Sequence, residues 1–194
     1  MKNITDNENF DTFSYEWYDN TTPDPSNGLT PYHNMQRIVD ICHKFVDNFD
    51  KEAANILFFG GTGTGKTFLS NCIARELLNT SHSVIYLTAI ELFTTFQRQD
   101  FSRFGEDKDS DANYLSDCDL LIIDDLGTEL NNSFTSSQLF YCINERMNMN
   151  RSTIISTNLS LTQLRDSYTD RVTSRIMRFR IIPLYGRDIR LLKR

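Results

Sequence analysis

Two hydrophobic patterns alternate along the chain. From Thr30, the residues Met35, Ile38, Val39, Cys42, Phe45, Val46 and Phe49 recur at the 3.6-residue period of a helix with one apolar stripe. Thr30 can cap that helix, and Pro31 suits its first position. Short continuous apolar runs of strand length follow at 55–59 (NILFF), 83–87 (SVIYL), 119–123 (DLLII), 152–156 (STIIS) and 179–184 (FRIIPL). Helical patterns lie between them. One carries Phe68, Leu69, Cys72, Ile73 and Leu77, and the next opens on a Thr88-x-x-Glu91 capping box and runs to about Arg98. Another begins near Thr135-x-x-Gln138, with Phe134 placed to staple against Leu139, and a further one starts at Ser160-x-x-Gln163. Strands that are apolar on both faces, each followed by a helix, predict an α/β fold with a parallel sheet covered on both sides.

The remaining segments are polar. Residues 1–29 are turn-rich, with Phe10, Phe13, Tyr15, Trp17 and Tyr18 embedded, and predict an extended lead-in laid over a single domain at 30–194. Residues 99–116 form a charged connection, and no internal repeat is found.

A chain of 194 residues is long enough to fold around its own core without disulfides or a structural metal. The four cysteines (Cys42, Cys72, Cys118, Cys142) contain no CxxC pair, and with three scattered histidines they offer no zinc spacing. Reduced, buried thiols are expected. No apolar run reaches transmembrane length, and the opening MKNITDNENF is not a secretory signal, so a cytoplasmic protein without a membrane partner is expected.

The net charge of −6 is unevenly spread: residues 151–194 hold ten Lys/Arg against three Asp/Glu, and nine of those ten bases are arginine. Arginine suits bidentate grip on phosphate. Such a tail fits an anionic partner, nucleotide or nucleic acid, as well as a merely solvated basic face.

Gly60-Gly61-Thr62-Gly63-Thr64-Gly65-Lys66-Thr67 matches GxxxxGK[ST] between a predicted strand and a predicted helix. Its glycines let backbone N–H groups converge on phosphate oxygens at a helix N-terminus. Lys66 would add a point charge on the β- and γ-phosphates of ATP, and Thr67 a hydroxyl to Mg²⁺. In Asp119-Leu120-Leu121-Ile122-Ile123-Asp124-Asp125, two carboxylates emerge at the C-terminal end of a strand, where open α/β sheets bind ligands. Asp124 would hold Mg²⁺ through water, and Asp125 would polarise the attacking water. Ser156-Thr157-Asn158 closes the fourth strand; Asn158 either orients water at the γ-phosphate or caps the turn before Leu159. Asp170-Arg171-Val172-Thr173-Ser174-Arg175 falls on a predicted helix, and Gly186-Arg187-Asp188-Ile189-Arg190 follows the fifth strand. One arginine in cis can sense phosphates, and one from a neighbouring subunit can neutralise the γ-phosphoryl charge.

Taken in order, the phosphate loop, LLIIDDLG, STNLS, DRVTSR and GRDIR resemble the AAA+ domain of bacterial replicative-helicase loaders of the DnaC/DnaI type, and IstB-type transposition helper ATPases are similar. The likeness spans about residues 10–194. It implies a five-stranded parallel sheet of order 5-1-4-3-2 with a minimal C-terminal lid, and it implies ATP and Mg²⁺ as ligands. It also implies Asn158 as sensor 1, Arg175 as arginine finger (with Arg171 as fallback) and Arg190 as the sensor-2 arginine. The implied partners are the replicative DNA helicase, single-stranded DNA and further copies of the chain, arranged so that each site is completed by its neighbour. In the family, the stretch corresponding to 99–116 and nearby helices contact single-stranded DNA; here Arg98, Phe101, Arg103, Phe104 and Lys108 offer charge and stacking surface, against seven carboxylates in 100–119.

Two features depart from the family pattern. General AAA+ proteins place Glu where this chain has Asp125, although the loaders themselves commonly carry two aspartates there and Glu129 of this chain could substitute, and the lead-in is shorter than a helicase-binding region. Slow, switch-like hydrolysis is expected. The competing readings are a transposition helper, a small P-loop kinase, and an adaptor that binds ATP without hydrolysing it.

Overall fold

The structure, a computed structural model, describes residues 4–192 except 6, 26, 103–113 and 131, and over 98–102 it describes the backbone alone. Five strands, β1 (Asn55–Gly60), β2 (Val84–Thr88), β3 (Leu120–Leu126), β4 (Ser152–Thr157) and β5 (Arg180–Leu184), form one parallel sheet in the order β2-β3-β4-β1-β5. This is the expected 5-1-4-3-2 order counted from the opposite edge. Helices α1 (Pro31–Asp47), α2 (Lys66–Asn79), α3 (Ala89–Ser102), α4 (Tyr114–Asp117), α5 (Ser133–Asn148), α6 (Leu161–Ser167), α7 (Asp170–Ile176) and α8 (Ile189–Leu192) surround it.

The sheet separates two apolar cores. Alternate residues of each strand point to opposite faces, as the pleat requires. Ile56, Phe58, Leu120, Ile122 and Ile154 therefore join α1 and α2 on one side. Leu57, Leu121, Ile123 and Ile155 join α3, α5, α6 and α7 on the other. The lead-in belongs to the first core: Tyr18 is buried there, with Phe10, Phe13 and Tyr15 packed against it.

Thr30 caps α1 with Pro31 at its first position, and the Thr88/Glu91 and Ser160/Gln163 boxes open α3 and α6 as expected. The start of α5 differs. Asn132 is its N-cap, bonded reciprocally to Thr135, so Thr135 completes the box and does not begin it. Asn caps as well as Thr, and the shift places Phe134 inside the first turn of α5, packed against the core that contains Leu139. β3 also differs from its predicted span. It begins one residue later, at Leu120, with the Asp119 carboxylate just outside it tied to Ser83 and Arg151, and it continues through both aspartates to Leu126. Asp124 pairs with Thr88 of β2, while the register with β4 slips between Ile123 and Leu126.

Arg146 of α5 is fully buried, and the partners of its guanidinium among the described residues are backbone carbonyls, the Thr153 hydroxyl and the Cys118 thiol. Its guanidinium donates to the carbonyls of Leu115 (2.6 Å), Cys118 (3.0 Å) and Ser152 (2.5 Å), and its Nε to Thr153 Oγ1 (3.1 Å). One side chain thus ties α4, the entry to β3 and the start of β4 together.

Candidate nucleotide-binding site

β1 and β3 flank β4, so the loop after β1 and the carboxylates of β3 meet at one end of the sheet with Asn158 between them. Gly65 takes a left-handed conformation (φ 104°) as N-cap of α2 and offers no side-chain cap, which leaves the first N–H groups of the helix for a ligand. Gly63 (φ 72°) lies so close to the C-terminal segment that an added Cβ would sit 1.8 Å from Asp188 Oδ1. There Ile189 N donates to Gly63 O at 3.0 Å, which seats α8 against the loop.

Lys66 is 5% exposed, and its Nζ donates to Gly60 O (2.8 Å), Gly61 O (2.7 Å) and Asn158 Oδ1 (2.7 Å). Burial lowers its pKa, opposed by the charges of Asp125 and Asp124. Asn158 Nδ2 in turn lies 3.5 Å from Asp125 Oδ1. Asp124 is 5% exposed and accepts from three neutral hydroxyls: Thr67 (3.0 Å to Oδ2), Tyr86 (2.9 Å to Oδ2) and Ser156. Thr67 gives its proton to Asp124, so its lone pairs stay available to a cation. This pair of hard oxygen donors fits Mg²⁺. Among the described residues no cluster of three or more His, Cys, Asp or Glu could hold a metal by itself. A Mg²⁺ ion here would therefore take most of its shell from water and phosphate.

Asp125 follows with φ 55°, a left-handed backbone that Asp tolerates better than most residues. Its N–H donates to Ser156 Oγ at 3.0 Å. Burial, and then the neighbouring Asp124 charge, push its pKa up. Arg190 is exposed and chelates Asp188 through two 3.0 Å bonds.

These groups enclose a cavity of about 500 Å³. Thr62, Gly63, Gly65, Lys66 and Thr67 line it, with Asp124, Asp125, Asn158 and Arg190 opposite. Gly60, Gly61 and Thr64 stand behind the lining, where the first two supply carbonyls to Lys66 and Thr64 O accepts from Tyr18 at 3.1 Å. Arg175 is not in the cavity. It lies half-buried on α7, with its guanidinium 4.9 Å above the Phe140 ring and bonded to Asn144 Oδ1. Glu129 is held by Gly127 N and by the Tyr168 hydroxyl. The side chains of Arg98, Phe101, Arg103, Phe104 and Lys108 lie outside the described residues.

Sequence reading alone missed the cavity's third wall. Glu8, Phe13, Ser14 and Trp17 of the lead-in line it, and Phe13 meets the Phe68 ring of α2 edge-on at 5.6 Å. The available signal was five aromatics within 10–18 of an otherwise polar segment.

The sheet order, the glycine loop capping α2 and the aspartates at the end of β3 define an AAA+ P-loop domain. The profile of the IstB-like ATP binding proteins matches residues 35–183, and the chain belongs to that family. It is 28% identical over 133 residues to the replicative helicase loader DnaC of Escherichia coli K12, which covers 69% of this chain and 54% of the relative. The chain thus spans about half the length of that curated relative. The crystal structure of the DnaC helicase loader superposes with a TM-score of 0.70 at 23% identity, over 92% of this chain and 97% of that one. The replication initiator DnaA bound to AMPPCP and single-stranded DNA does so with a TM-score of 0.67 at 20% identity, over 78% and 46%. Both likenesses describe the fold. Among the described residues no helix is long and apolar enough to cross a membrane.

Proposed function

We propose that this chain binds Mg²⁺-ATP in the cavity between its glycine loop and the β3 aspartates, hydrolyses it slowly, and serves as the ATPase domain of a replicative-helicase loader. The observation that carries the reading is the convergence of Lys66, Thr67, Asp124, Asp125, Asn158 and Arg190 on one cavity. In this account the N–H groups of Gly61–Thr67 cradle the phosphates, and Lys66 exchanges the Gly60 and Gly61 carbonyls for the β- and γ-phosphate oxygens. That exchange releases Asn158, whose amide stays beside Asp125 to orient the attacking water. Asp125 polarises that water, and Arg190 leaves Asp188 for the γ-phosphate. Thr67 and Asp124 hold Mg²⁺, which when bound neutralises charge on the β- and γ-phosphates. Trp17, Phe13 and Ser14 line the same cavity, where the two rings offer aromatic surface to the base. Arg175 acts on a neighbouring copy's nucleotide.

Residues 30–194 serve as the ATPase domain and 1–29 as its lead-in, in a cytoplasmic protein that assembles on single-stranded DNA. The DnaC relatives support the helicase as partner. The IstB-like family match supports a second reading, in which the same ATPase serves a transposase. Phosphate release measured with and without Asp124→Asn tests the enzyme: steady release that vanishes in the variant is expected, and release that persists would overturn the site. A phosphorylated small-molecule product would point instead to a kinase. Co-purification with the host's replicative helicase or with a transposase decides the partner.

A further inference from the structure

The Asp124 carboxylate is gripped from both neighbouring strands. Tyr86 of β2 is 7% exposed, packs in the core beneath α2, and donates its hydroxyl to Oδ2 at 2.9 Å. Ser156 of β4, fully buried, donates to Oδ1 and accepts the Asp125 N–H at 3.0 Å. Because β2 and β4 are the two partners of β3, the hydroxyls reach the carboxylate from opposite sides, and Thr67 closes the third. Neither Tyr86 nor Ser156 lines the cavity, so neither would touch nucleotide.

Burying a hydroxyl without a partner is costly, and both of these meet the same anion. A carboxylate that accepts three hydrogen bonds has little rotational freedom left. Outer partners of this kind fix the orientation of a metal ligand.

We propose that Tyr86 and Ser156 are positioning residues that hold Asp124 in the one orientation a divalent cation can use. This rests on the Mg²⁺-ATP reading of the cavity. It also assigns Ser156 a second task, since the oxygen that serves Asp124 fixes the backbone at the left-handed Asp125.

The test is the Mg²⁺ dependence of AMPPCP binding, read by the fluorescence of Trp17, the single tryptophan of the chain, which lines the cavity. Tyr86→Phe keeps the ring and removes only the hydroxyl; Ser156→Ala removes the opposite donor and serves should Tyr86→Phe not fold. In both variants metal-free AMPPCP affinity should stay at the wild-type value, while the Mg²⁺ midpoint rises roughly tenfold or more. In an Asp124→Asn background Tyr86→Phe should add nothing, a result that a general packing defect would not give. A Mg²⁺ midpoint at the wild-type value in either folded variant would overturn the assignment. Absence of any AMPPCP signal in the wild type would instead overturn the nucleotide reading, and the positioning role with it.

Discussion

A carboxylate on a left-handed backbone is uncommon, and Asp125 combines that conformation (φ 55°) with a half-buried position beside a second carboxylate. A conformation of this kind costs on the order of 1–3 kcal/mol and persists where its surroundings fix it. Here they do: the Asp125 N–H is held by Ser156, and its carbonyl accepts the Thr128 hydroxyl at 2.8 Å. Asn tolerates the same backbone and carries no charge. Asp125→Asn should therefore fold with a melting temperature at or above wild type, because it removes a like charge next to Asp124. It should retain ATP affinity and lose phosphate release by roughly 10²-fold or more. Undiminished release would move the water-polarising role elsewhere, though Glu129 is already occupied by Tyr168 and Gly127.

Strands and helices were legible where a local signal specified them. The five apolar runs became the five strands, with bounds displaced by up to three residues, and the Thr30 cap and the Thr88/Glu91 and Ser160/Gln163 boxes sit where the pattern put them. The α5 cap was misplaced by three residues because Asn132 and Thr135 are both capping types, and only the fold decides which comes first. The lead-in's part in the cavity was invisible because aromatics in a polar segment carry no period to say what they cover. α4 was missed for a different reason. Four residues make no helical pattern, and a distant side chain, Arg146, holds the end of this one. Arg146→Ala would leave the carbonyls of Leu115, Cys118 and Ser152 without that donor, at about 1–3 kcal/mol each. A loss of about 3 kcal/mol or more predicts a melting temperature roughly 6–12 °C lower for a domain of this size. A melting temperature at the wild-type value would show that water or rearrangement replaces the guanidinium.

Seen entire, the molecule keeps its ligand-facing groups at the C-terminal end of the sheet and carries its excess of arginine in the last 44 residues. The site was legible as motifs because phosphate loop, carboxylates and Asn158 are each local; the sheet order that brings them together is long-range and entered only through the family resemblance. Arg175 stands outside its own cavity, against Phe140 and Asn144, so the finger role proposed for it requires a neighbouring copy. Arg175→Ala should bind ATP as wild type yet hydrolyse on the order of 10³-fold more slowly at protein concentrations that favour assembly. An unchanged rate would transfer the role to Arg171 or exclude catalysis between copies. All of this depends on a triphosphate lodging above Lys66, which calorimetric titration of Mg²⁺-ATP into the intact chain and into Lys66→Ala would establish. A saturable heat at one site per chain, lost in Lys66→Ala, is the predicted result; no heat in the wild type, or equal heat in both, would contradict it.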